Sequence, residues 1–255
     1  MSTNKMSDST KYTIAGVIGG IAAEILLLYY LYSLETETAI VYNANKLPND
    51  IKHPITLTDY FGRGTLGATA EISPEGILHL KAPQSGQYVS SIFYALKDIP
   101  APNTPNGDIG YTAIMKYKFS LGHSWSPVLA ISAGLNTPLF YVTSNGTNNQ
   151  LELYNDDLKL GTYVGDATKY FRVRLAVKKD ADGQWRGRFW INDLLVFNNI
   201  LPLTTWTNGT NSYIGSQLMF GLWQGLSEAW IDYVIFDGKG AFSPEEKSDA
   251  HYLNR

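Results

Sequence analysis

The chain has no cysteine among its 255 residues, and this absence removes three kinds of chemistry. Without thiols it has no disulfide, no thiolate metal site and no cysteine nucleophile. Charge is scarce as well, because Asp, Glu, Lys and Arg together make up 17% of the residues and the net charge is -3. Phosphate binding needs clustered Lys and Arg, so nucleic acid is not an expected partner.

Motifs for catalysis are also missing. The chain contains no Gly-x-Ser-x-Gly sequence, and its histidines stand in no recognised nucleophile motif. Their spacing is too wide for a histidine metal site. The four histidines are His53, His79, His123 and His251.

One long apolar run is present, over residues 13–34, with a single charge at Glu24. As a helix, these 22 residues would span about 33 Å, which is enough to cross a bilayer. A cleaved signal peptide has a shorter apolar region, whereas this run continues through three leucines into tyrosines typical of a membrane interface. The pattern predicts an uncleaved signal anchor that forms a transmembrane helix.

The residues that flank this run predict its orientation. Lys5 and Lys11 precede it, Glu35 and Glu37 follow it, and basic residues mark the inner side of a membrane. Residues 1–12 are therefore the expected cytoplasmic tail of a single-pass protein. The rest is expected outside, at a cell or virion surface, with membrane lipid as its first partner.

Gly16, Gly20 and Glu24 stand at four-residue intervals and thus on one face of the predicted helix. Small residues let two helices approach closely, and a glutamate in the membrane is protonated or hydrogen-bonded to a partner. This face predicts a homo- or hetero-oligomer formed through the transmembrane helix. The alternative is a tolerated, protonated glutamate with no specific neighbour.

The same stretch resembles in part the N-terminus of type IV pilins, in which processing at a glycine leaves a glutamate as the fifth residue. Cleavage after Gly19 would place Glu24 there. A pilin leader is short and basic, however, whereas apolar residues precede Gly19 in this chain. A pilin-like filament subunit therefore stays an alternative.

The remainder of the chain predicts a stalk followed by an all-β domain. Residues 35–54 carry several Asn and Pro residues without apolar periodicity, so they are the expected stalk or linker. From 55 to 238, short β-branched and aromatic segments alternate with turn residues and predict a sandwich or barrel of many strands. The predicted strands cover residues 76–81, 87–96, 111–120, 127–133, 139–143, 150–154, 170–178, 184–191, 194–197, 217–222 and 229–236.

A short helix is predicted within the C-terminal tail, residues 239–255. Ser243 suits a helix N-cap, Pro244 the first helical turn, and Glu246 completes a capping box with Ser243.

Four segments of the β domain carry a resemblance to a known family. They are Tyr-Phe-Arg-Val-Arg-Leu-Ala-Val from Tyr170, Gly-Arg-Phe-Trp-Ile-Asn-Asp-Leu-Leu-Val from Gly187, Ala-Trp-Ile-Asp-Tyr-Val from Ala229 and Gly-Ile-Leu-His-Leu from Gly76. They resemble the concanavalin A-like lectin and glucanase superfamily, including its laminin G-like domains. The resemblance implies a jelly-roll sandwich of two antiparallel sheets.

Hydrolases of that superfamily usually carry Glu-x-Asp-x-Glu on one strand, and this chain has no such sequence. Its candidate carboxylates, Glu152 and Glu228, each stand alone. A pair assembled from these distant strands stays open as an alternative, and with it a membrane-tethered glycoside hydrolase. Our prediction is that the protein is not an enzyme.

Glycan binding needs aromatic rings beside hydrogen-bonding groups. Trp125, Trp206, Trp223 and Gln224 lie in or beside predicted loops, which makes them candidate glycan-binding residues. The alternative is that these tryptophans close the ends of the sandwich and pack there.

Calcium is the cofactor that the resemblance implies as a candidate, because lectin and laminin G-like domains often bind it through loop aspartates. Asp156 and Asp157 are the candidate ligands, and residues 180–182 offer a second pair of aspartates. Both stretches also fit plain turns, in which Asp and Asn bind their own backbone.

An outer location agrees with two sequons for N-glycosylation, which begin at Asn145 and Asn208. The sequence therefore predicts a membrane-anchored, extracytoplasmic binding or structural module. Its expected context is a surface or membrane-bound assembly, such as a cell envelope, filament or virion, with glycans as candidate ligands.

Overall fold

A computed structural model describes most of the β domain. The described residues are 39–51, 56–57, 67–83, 92–97, 110–120, 127–132, 138–145, 149–164, 169–202, 216–222 and 226–254. The predicted transmembrane helix lies outside them, together with Gly16, Gly20 and Glu24. Within this described part, no helix has both the length and the apolar character needed to cross a bilayer.

The described residues form fifteen strands, one 3-10 turn and one short helix. In chain order these elements are β1 (Ala39–Tyr42), the 3-10 turn (Pro48–Asp50), β2 (Thr56–Leu57), β3 (Thr69–Ile72), β4 (Leu78–Ala82), β5 (Ile92–Lys97), β6 (Gly110–Phe119), β7 (Val128–Ser132), β8 (Leu139–Asn145), β9 (Gln150–Asn155), β10 (Leu158–Val164), β11 (Phe171–Lys179), β12 (Trp185–Ile191), β13 (Leu194–Leu201), β14 (Ser216–Leu222), β15 (Ser227–Asp237) and α1 (Asp249–Leu253).

The strands form two antiparallel sheets. Sheet A has the order β13-β12-β11-β6-β15-β4-β3, and sheet B has the order β10-β9-β8-β7-β14-β5-β2. Strand β15 pairs with three strands of sheet A. Strand β6 lies along one side of it, and on the other side β4 pairs with its first half and β1 with its second half. The predicted two-sheet antiparallel sandwich with one short C-terminal helix is confirmed.

Alternation of side chains explains why the two sheets pack together. In β11, Phe171, Val173 and Leu175 belong to the main buried apolar core, while Arg172 and Arg174 point to the outer face of sheet A. Strands β6, β8, β9 and β15 alternate in the same way, because successive residues of a strand face opposite sides. The core therefore lies between the sheets, and each sheet keeps an outer face that is available for other roles.

The two consecutive hairpins predicted for 170–197 are present. Residues 180–184 join β11 to β12, and Gly183 there has a φ of +84°. Asn192 and Asp193 join β12 to β13 with φ values of +48° and +68°, the left-handed geometry that a two-residue hairpin turn requires.

Four strands were not predicted, because each is too short or too irregular to show a β period in the sequence. Strand β1 falls inside the expected stalk, because four residues are too few to show a period before the Asn- and Pro-containing stretch begins. It nevertheless belongs to sheet A, because it pairs with β15. Strand β2 has two residues and β3 has four, while β10 is interrupted by Gly161 and a shift in register.

The predicted capping box forms, although the helix begins later than expected. The Ser243 amide donates to the Glu246 carboxylate over 2.7 Å, and the Glu246 amide donates to the Ser243 hydroxyl over 3.3 Å. This reciprocal pair closes a single turn. Ser248 is then extended, with φ -70° and ψ 160°, so the helix starts only at Asp249.

Residues 240–253, which we call the C-terminal cover, lie against the outer face of sheet A. At one end, the Thr112 hydroxyl donates to the Gly240 carbonyl and accepts the Phe242 amide, both over 2.8 Å. At the other end, Tyr252 is buried and donates its hydroxyl to Asp237 over 3.0 Å. The cover therefore shields one part of this face, and among the described residues other side chains of the face, such as Lys118 and Trp230, stay partly exposed.

Asp249 holds this cover in place. Its carboxylate accepts hydrogen bonds from Arg174 over 2.8 Å, from Arg172 over 3.0 Å and from the Tyr233 hydroxyl. The Arg174 and Asp249 side chains are 2% and 6% exposed, so this ion pair is buried. Burial and the bond to Asp249 raise the pKa of Tyr233 far above its usual range, and its hydroxyl keeps the proton that it donates.

We expect Asp249→Asn to lower the free energy of unfolding by about 3 kcal/mol or more, because the change leaves the buried Arg174 guanidinium without its counter-charge. Denaturant titration measures the effect. Asp193→Asn is the matched control, since it removes an exposed partner of Arg172 and is expected to cost less than about 1 kcal/mol. Equal losses in the two variants would contradict this account of the cover.

Candidate functional site

The outer face of sheet A also carries a line of side chains that crosses four strands and ends at the residue before a fifth. Cross-strand pairing places Glu71 beside His79, His79 beside Trp230, and Trp230 beside Lys118. Tyr170, which directly precedes β11, extends this line beyond Lys118. We call these five residues the aromatic row. With strands about 4.8 Å apart, the row is about 19 Å long.

Each member of the aromatic row contacts the next. Glu71 Oε1 lies 3.1 Å from His79 Nδ1, and the His79 and Trp230 rings stack with centroids 5.0 Å apart and planes within 5°. Lys118 Nζ lies 4.9 Å from the centroid of Trp230 and 5.3 Å from that of Tyr170. A cation over an aromatic face is attracted by the ring quadrupole, so the row is held together from end to end.

Charged pairs flank the row on both sides. Lys81 and Glu228 form an ion pair of 2.9 Å on one side, and Lys116 and Asp232 form one of 2.7 Å on the other. Asp232 is the extra residue of a bulge in β15, since Ile231 and Tyr233 pair with consecutive residues of β6. The surface around the rings therefore offers both hydrogen-bond donors and acceptors.

Lys118 differs from the other cations of this face. Among the described residues its ammonium forms no ion pair, whereas Lys81 and Lys116 each bind a carboxylate. Tyr170 is 38% exposed, and burial together with the charge of Asp232 raises the pKa of its phenol, which keeps the hydroxyl protonated. The centre of the row thus combines a cation without a carboxylate partner and aromatic rings at the surface.

The outer face of sheet B carries a different group of residues, and it is largely buried. Glu152 Oε1 accepts a bond of 2.7 Å from Lys159, and Oε2 accepts one of 2.8 Å from the Tyr154 hydroxyl. The rings of Tyr141 and Tyr154 stack with centroids 5.1 Å apart. Burial, followed by the bond to Glu152, raises the pKa of Tyr154 far above its usual range.

Thr143 pairs directly with Glu152 across β8 and β9, and its hydroxyl, unlike the side-chain oxygens of Glu152 and Tyr154, is not hydrogen-bonded within this group. The residue is fully buried, yet among the described residues its Oγ1 has no hydrogen-bond partner. A buried hydroxyl without a partner costs free energy, because it lost its bonds to water without replacing them.

Glu152 and Glu228, the alternative pair for a hydrolase, lie on opposite sides of the sandwich. Glu152 is on the outer face of sheet B, while Glu228 is on the outer face of sheet A, and the core separates them. Two carboxylates that cleave a glycosidic bond must face the same bond within about 10 Å. This particular pair therefore does not form.

The candidate calcium ligands are parts of turns. Asp156 and Asp157 form the two-residue connection between β9 and β10, and Asp156 Oδ1 accepts the Leu139 amide over 3.3 Å. In the next hairpin, Asp180 binds Arg186 over 3.0 Å and Asp182 accepts the Gln184 amide over 2.9 Å. In the parts of the chain described above, no three His, Asp or Glu side chains are arranged to hold a metal ion.

The predicted glycan-binding residues and the aromatic row are different sets. Trp125, Trp206, Trp223 and Gln224 lie outside the described residues, as does Asn208, and Asn145 is the last residue of β8. The row was missed because its members come from five segments whose lateral register no sequence pattern specifies. Alternation along each strand does indicate that Trp230 and His79 face outward. Their neighbours on both sides are small or apolar and face the core.

No protein-family model matches the chain, and no curated protein matches its sequence. Solved structures do share its fold. The binding domain of botulinum neurotoxin DC, in complex with rat synaptotagmin II, aligns with a TM-score of 0.51 at 12% identity over 86% of this chain and 52% of that one. A structure of botulinum neurotoxin type C, whose cell entry depends on interaction with two ganglioside molecules, aligns with a TM-score of 0.50 at 11% identity. The alignment covers 86% of this chain and 52% of that one.

An alginate lyase aligns less well, with a TM-score of 0.45 at 11% identity over 78% of this chain and 96% of that one. At such identities the toxin likenesses show the fold alone. The chain spans about half the length of the toxin structures that it matches. The fold, and the toxin structures that share it, define the class as a two-sheet antiparallel β-sandwich of the jelly-roll type.

We expect opposite effects from removing two buried threonine hydroxyls. Thr143→Val is expected to raise the free energy of unfolding by about 1 kcal/mol, because the unpaired hydroxyl disappears while the shape is kept. Thr112→Val is expected to lower it by about 1 to 2 kcal/mol, because Gly240 and Phe242 lose their shared partner. Denaturant titration compares the two, and a stability loss in Thr143→Val would show that its hydroxyl has a function in the fold.

Proposed function

We propose that the sandwich is a carbohydrate-binding domain of the concanavalin A-like superfamily and that the aromatic row is its glycan-binding surface. The supporting observation is the unbroken contact from Glu71 through His79, Trp230 and Lys118 to Tyr170. A sugar ring has an apolar face edged by hydroxyl groups. Aromatic rings beside charged donors and acceptors match both features.

The shape of the site favours an extended glycan over a small buried ligand. The row lies on an open sheet face and is about 19 Å long by strand spacing, so it can accompany a chain of several sugar units. Glu228 and Lys81 on one side and Asp232 and Lys116 on the other supply hydrogen bonds along its length.

Charge favours an acidic glycan. The Lys118 ammonium lies between two rings and has no carboxylate partner among the residues that the structure describes. A carboxylate on the sugar would supply that partner, and a charge-assisted hydrogen bond is stronger than a neutral one. The ganglioside dependence of botulinum neurotoxin type C gives a precedent for glycan binding by a protein that contains this fold, and it is support by analogy only.

The setting that we propose is the outer side of a membrane. Residues 13–34 would anchor the chain as a single-pass helix, with residues 1–12 inside and the sandwich outside. Gly16, Gly20 and Glu24 would then form a contact with a second helix within a surface assembly. Membrane lipid and the partner helix are, on this proposal, the chain's other partners.

Glycan binding is tested with the full-length protein in detergent on an array of neutral and carboxylate-bearing oligosaccharides. We expect binding to acidic glycans, and we expect Lys118→Gln to weaken it about tenfold, the equivalent of about 1.4 kcal/mol. Trp230→Ala is expected to weaken it about thirtyfold, because a ring at the centre of an interface behaves as a hot spot.

Lys178→Gln is the matched control for charge. Lys178 lies on the same outer face of sheet A but at the far end of β11 from Tyr170, about 25 Å away at the rise of an extended strand. Its loss should leave the affinity unchanged. An array without any binding, or equal losses in Lys118→Gln and Lys178→Gln, would rule out this surface as the site.

Membrane anchorage is tested by washing membranes from an expressing cell at alkaline pH. The wild-type chain is expected to stay in the membrane pellet and its sandwich to be digested by protease added outside. Replacing Ala22 and Ile25 together by Lys is expected to release the chain, because each charge at the centre of a spanning helix costs about 2.5 to 3.5 kcal/mol. Release of the unmodified chain by the wash would disprove the anchor.

A further inference from the structure

The ring of His79 lies between two carboxylates on the outer face of sheet A. Glu71 Oε1, from β3, is 3.1 Å from Nδ1, and Glu228 Oε2, from β15, is 3.9 Å from Nε2. Trp230 stacks on the ring with the two planes within 5° of each other. The histidine therefore meets a negative charge at each nitrogen and an aromatic ring on one face.

A neutral imidazole matches these surroundings poorly. It has one N–H group and one bare nitrogen, and only the N–H group can bind a carboxylate. The shorter distance places the hydrogen on Nδ1, towards Glu71, which leaves Nε2 bare. Nε2 is buried, has no hydrogen-bond partner among the described residues and lies near a Glu228 oxygen. A buried acceptor without a donor costs free energy.

A protonated ring removes this mismatch. Each nitrogen then carries a hydrogen, so Nδ1 donates to Glu71, and Nε2 can donate to Glu228 after the two atoms approach by about 1 Å. The stack on Trp230 becomes a cation over an aromatic face, which the ring quadrupole stabilises. The contacts of His79 are therefore those of a site that favours its charged form.

The balance of charge around the ring also favours this proton. The described charged groups near His79 are Glu71 of β3, Lys81 of its own strand, Glu228 of β15 and, beyond Trp230, Lys118 of β6. Lys81 binds Glu228 over 2.9 Å, so Glu71 remains as one negative charge in excess. Lys118 stands two strands away, about 10 Å by strand spacing, and its repulsion is weaker at that distance.

We propose that His79 sets the charge of the glycan-binding surface and thereby strengthens the binding of acidic glycans at low pH. The aromatic row and its two flanking ion pairs contain three ammonium groups and three carboxylates, so the surface is neutral while His79 is neutral. One proton on His79 makes it positive. A histidine changes charge between about pH 5 and 8, whereas ammonium groups and carboxylates ordinarily do not. This inference rests on the proposed glycan-binding function and adds the residue that regulates it.

The pH response is measured with the full-length protein in detergent and a sulfated oligosaccharide, because a sulfate group keeps its charge at every pH used. We expect the affinity to be about fivefold higher at pH 5 than at pH 8, the effect of one partly screened charge. A neutral oligosaccharide of the same length should show no such change.

Two substitutions at His79 separate its charge from its shape. His79→Gln keeps a hydrogen-bonding side chain without a titrating charge, so its affinity is expected to stay at the pH 8 level throughout. His79→Arg supplies a permanent cation that stacks on Trp230 and binds carboxylates, so its affinity is expected to stay at the pH 5 level. His251→Gln is the matched control, because His251 lies in the C-terminal cover, and it should retain the wild-type response.

Nitrogen NMR of the protein, isotope-labelled at histidine and without any glycan, observes the proton itself. The His79 signals, assigned by their loss in His79→Gln, should show two protonated ring nitrogens at pH 5 and one at pH 8. A neutral His79 ring at pH 5, or a pH response of glycan binding that persists in His79→Gln, would overturn the inference. Binding of the sulfated glycan that does not depend on pH would remove the role of His79 alone, whereas absence of glycan binding at both pH values would overturn the proposed function as well.

Discussion

The buried contact between Asp249 and Arg174 decides how the outer face of sheet A is used. A sheet of eight strands has more outer surface than the short C-terminal segment can cover, so the point at which that segment is attached separates covered from open surface. Asp249 attaches it over the part of β6, β11 and β15 where Ile114, Tyr233 and Ile235 are buried with Tyr252. The aromatic row begins where this cover ends. If the segment were attached elsewhere on the sheet, a different set of side chains would be covered.

The chemistry of that contact also explains its place in the fold. Two charges lose much of their hydration when buried, and the loss is offset only when further hydrogen bonds complete the geometry. Here the carboxylate accepts from two guanidinium groups and one phenol, and Arg174 also donates to the Phe242 carbonyl over 3.3 Å, while its buried Nε has no partner among the described residues. A buried ion pair is favourable only when its partners meet in one geometry. It therefore fixes the position of the cover on the sheet more than it adds to the free energy of unfolding.

Sequence patterns predicted what depends on neighbouring residues and missed what depends on register. The alternation in Phe171-Arg-Val-Arg predicted a strand with one buried side, and Ser243 with Glu246 predicted a capping box that does form. The aromatic row needed more, because His79, Trp230 and Lys118 are distant in the chain and meet only through the pairing of three strands. The bulge at Asp232 is equally invisible in the sequence, although it sets which side chains of β15 face outward.

The proposed membrane anchor and the flat shape of the proposed site bear on each other. An open sheet face contacts a glycan from one side only, so a single row encloses less of its ligand than a pocket does and is expected to bind weakly. If the chain is anchored in a membrane as proposed, many copies of the row would lie on one surface. A target that carries several glycan chains could then bind more than one row, and each further binding event would be intramolecular, which raises the overall affinity without a new contact.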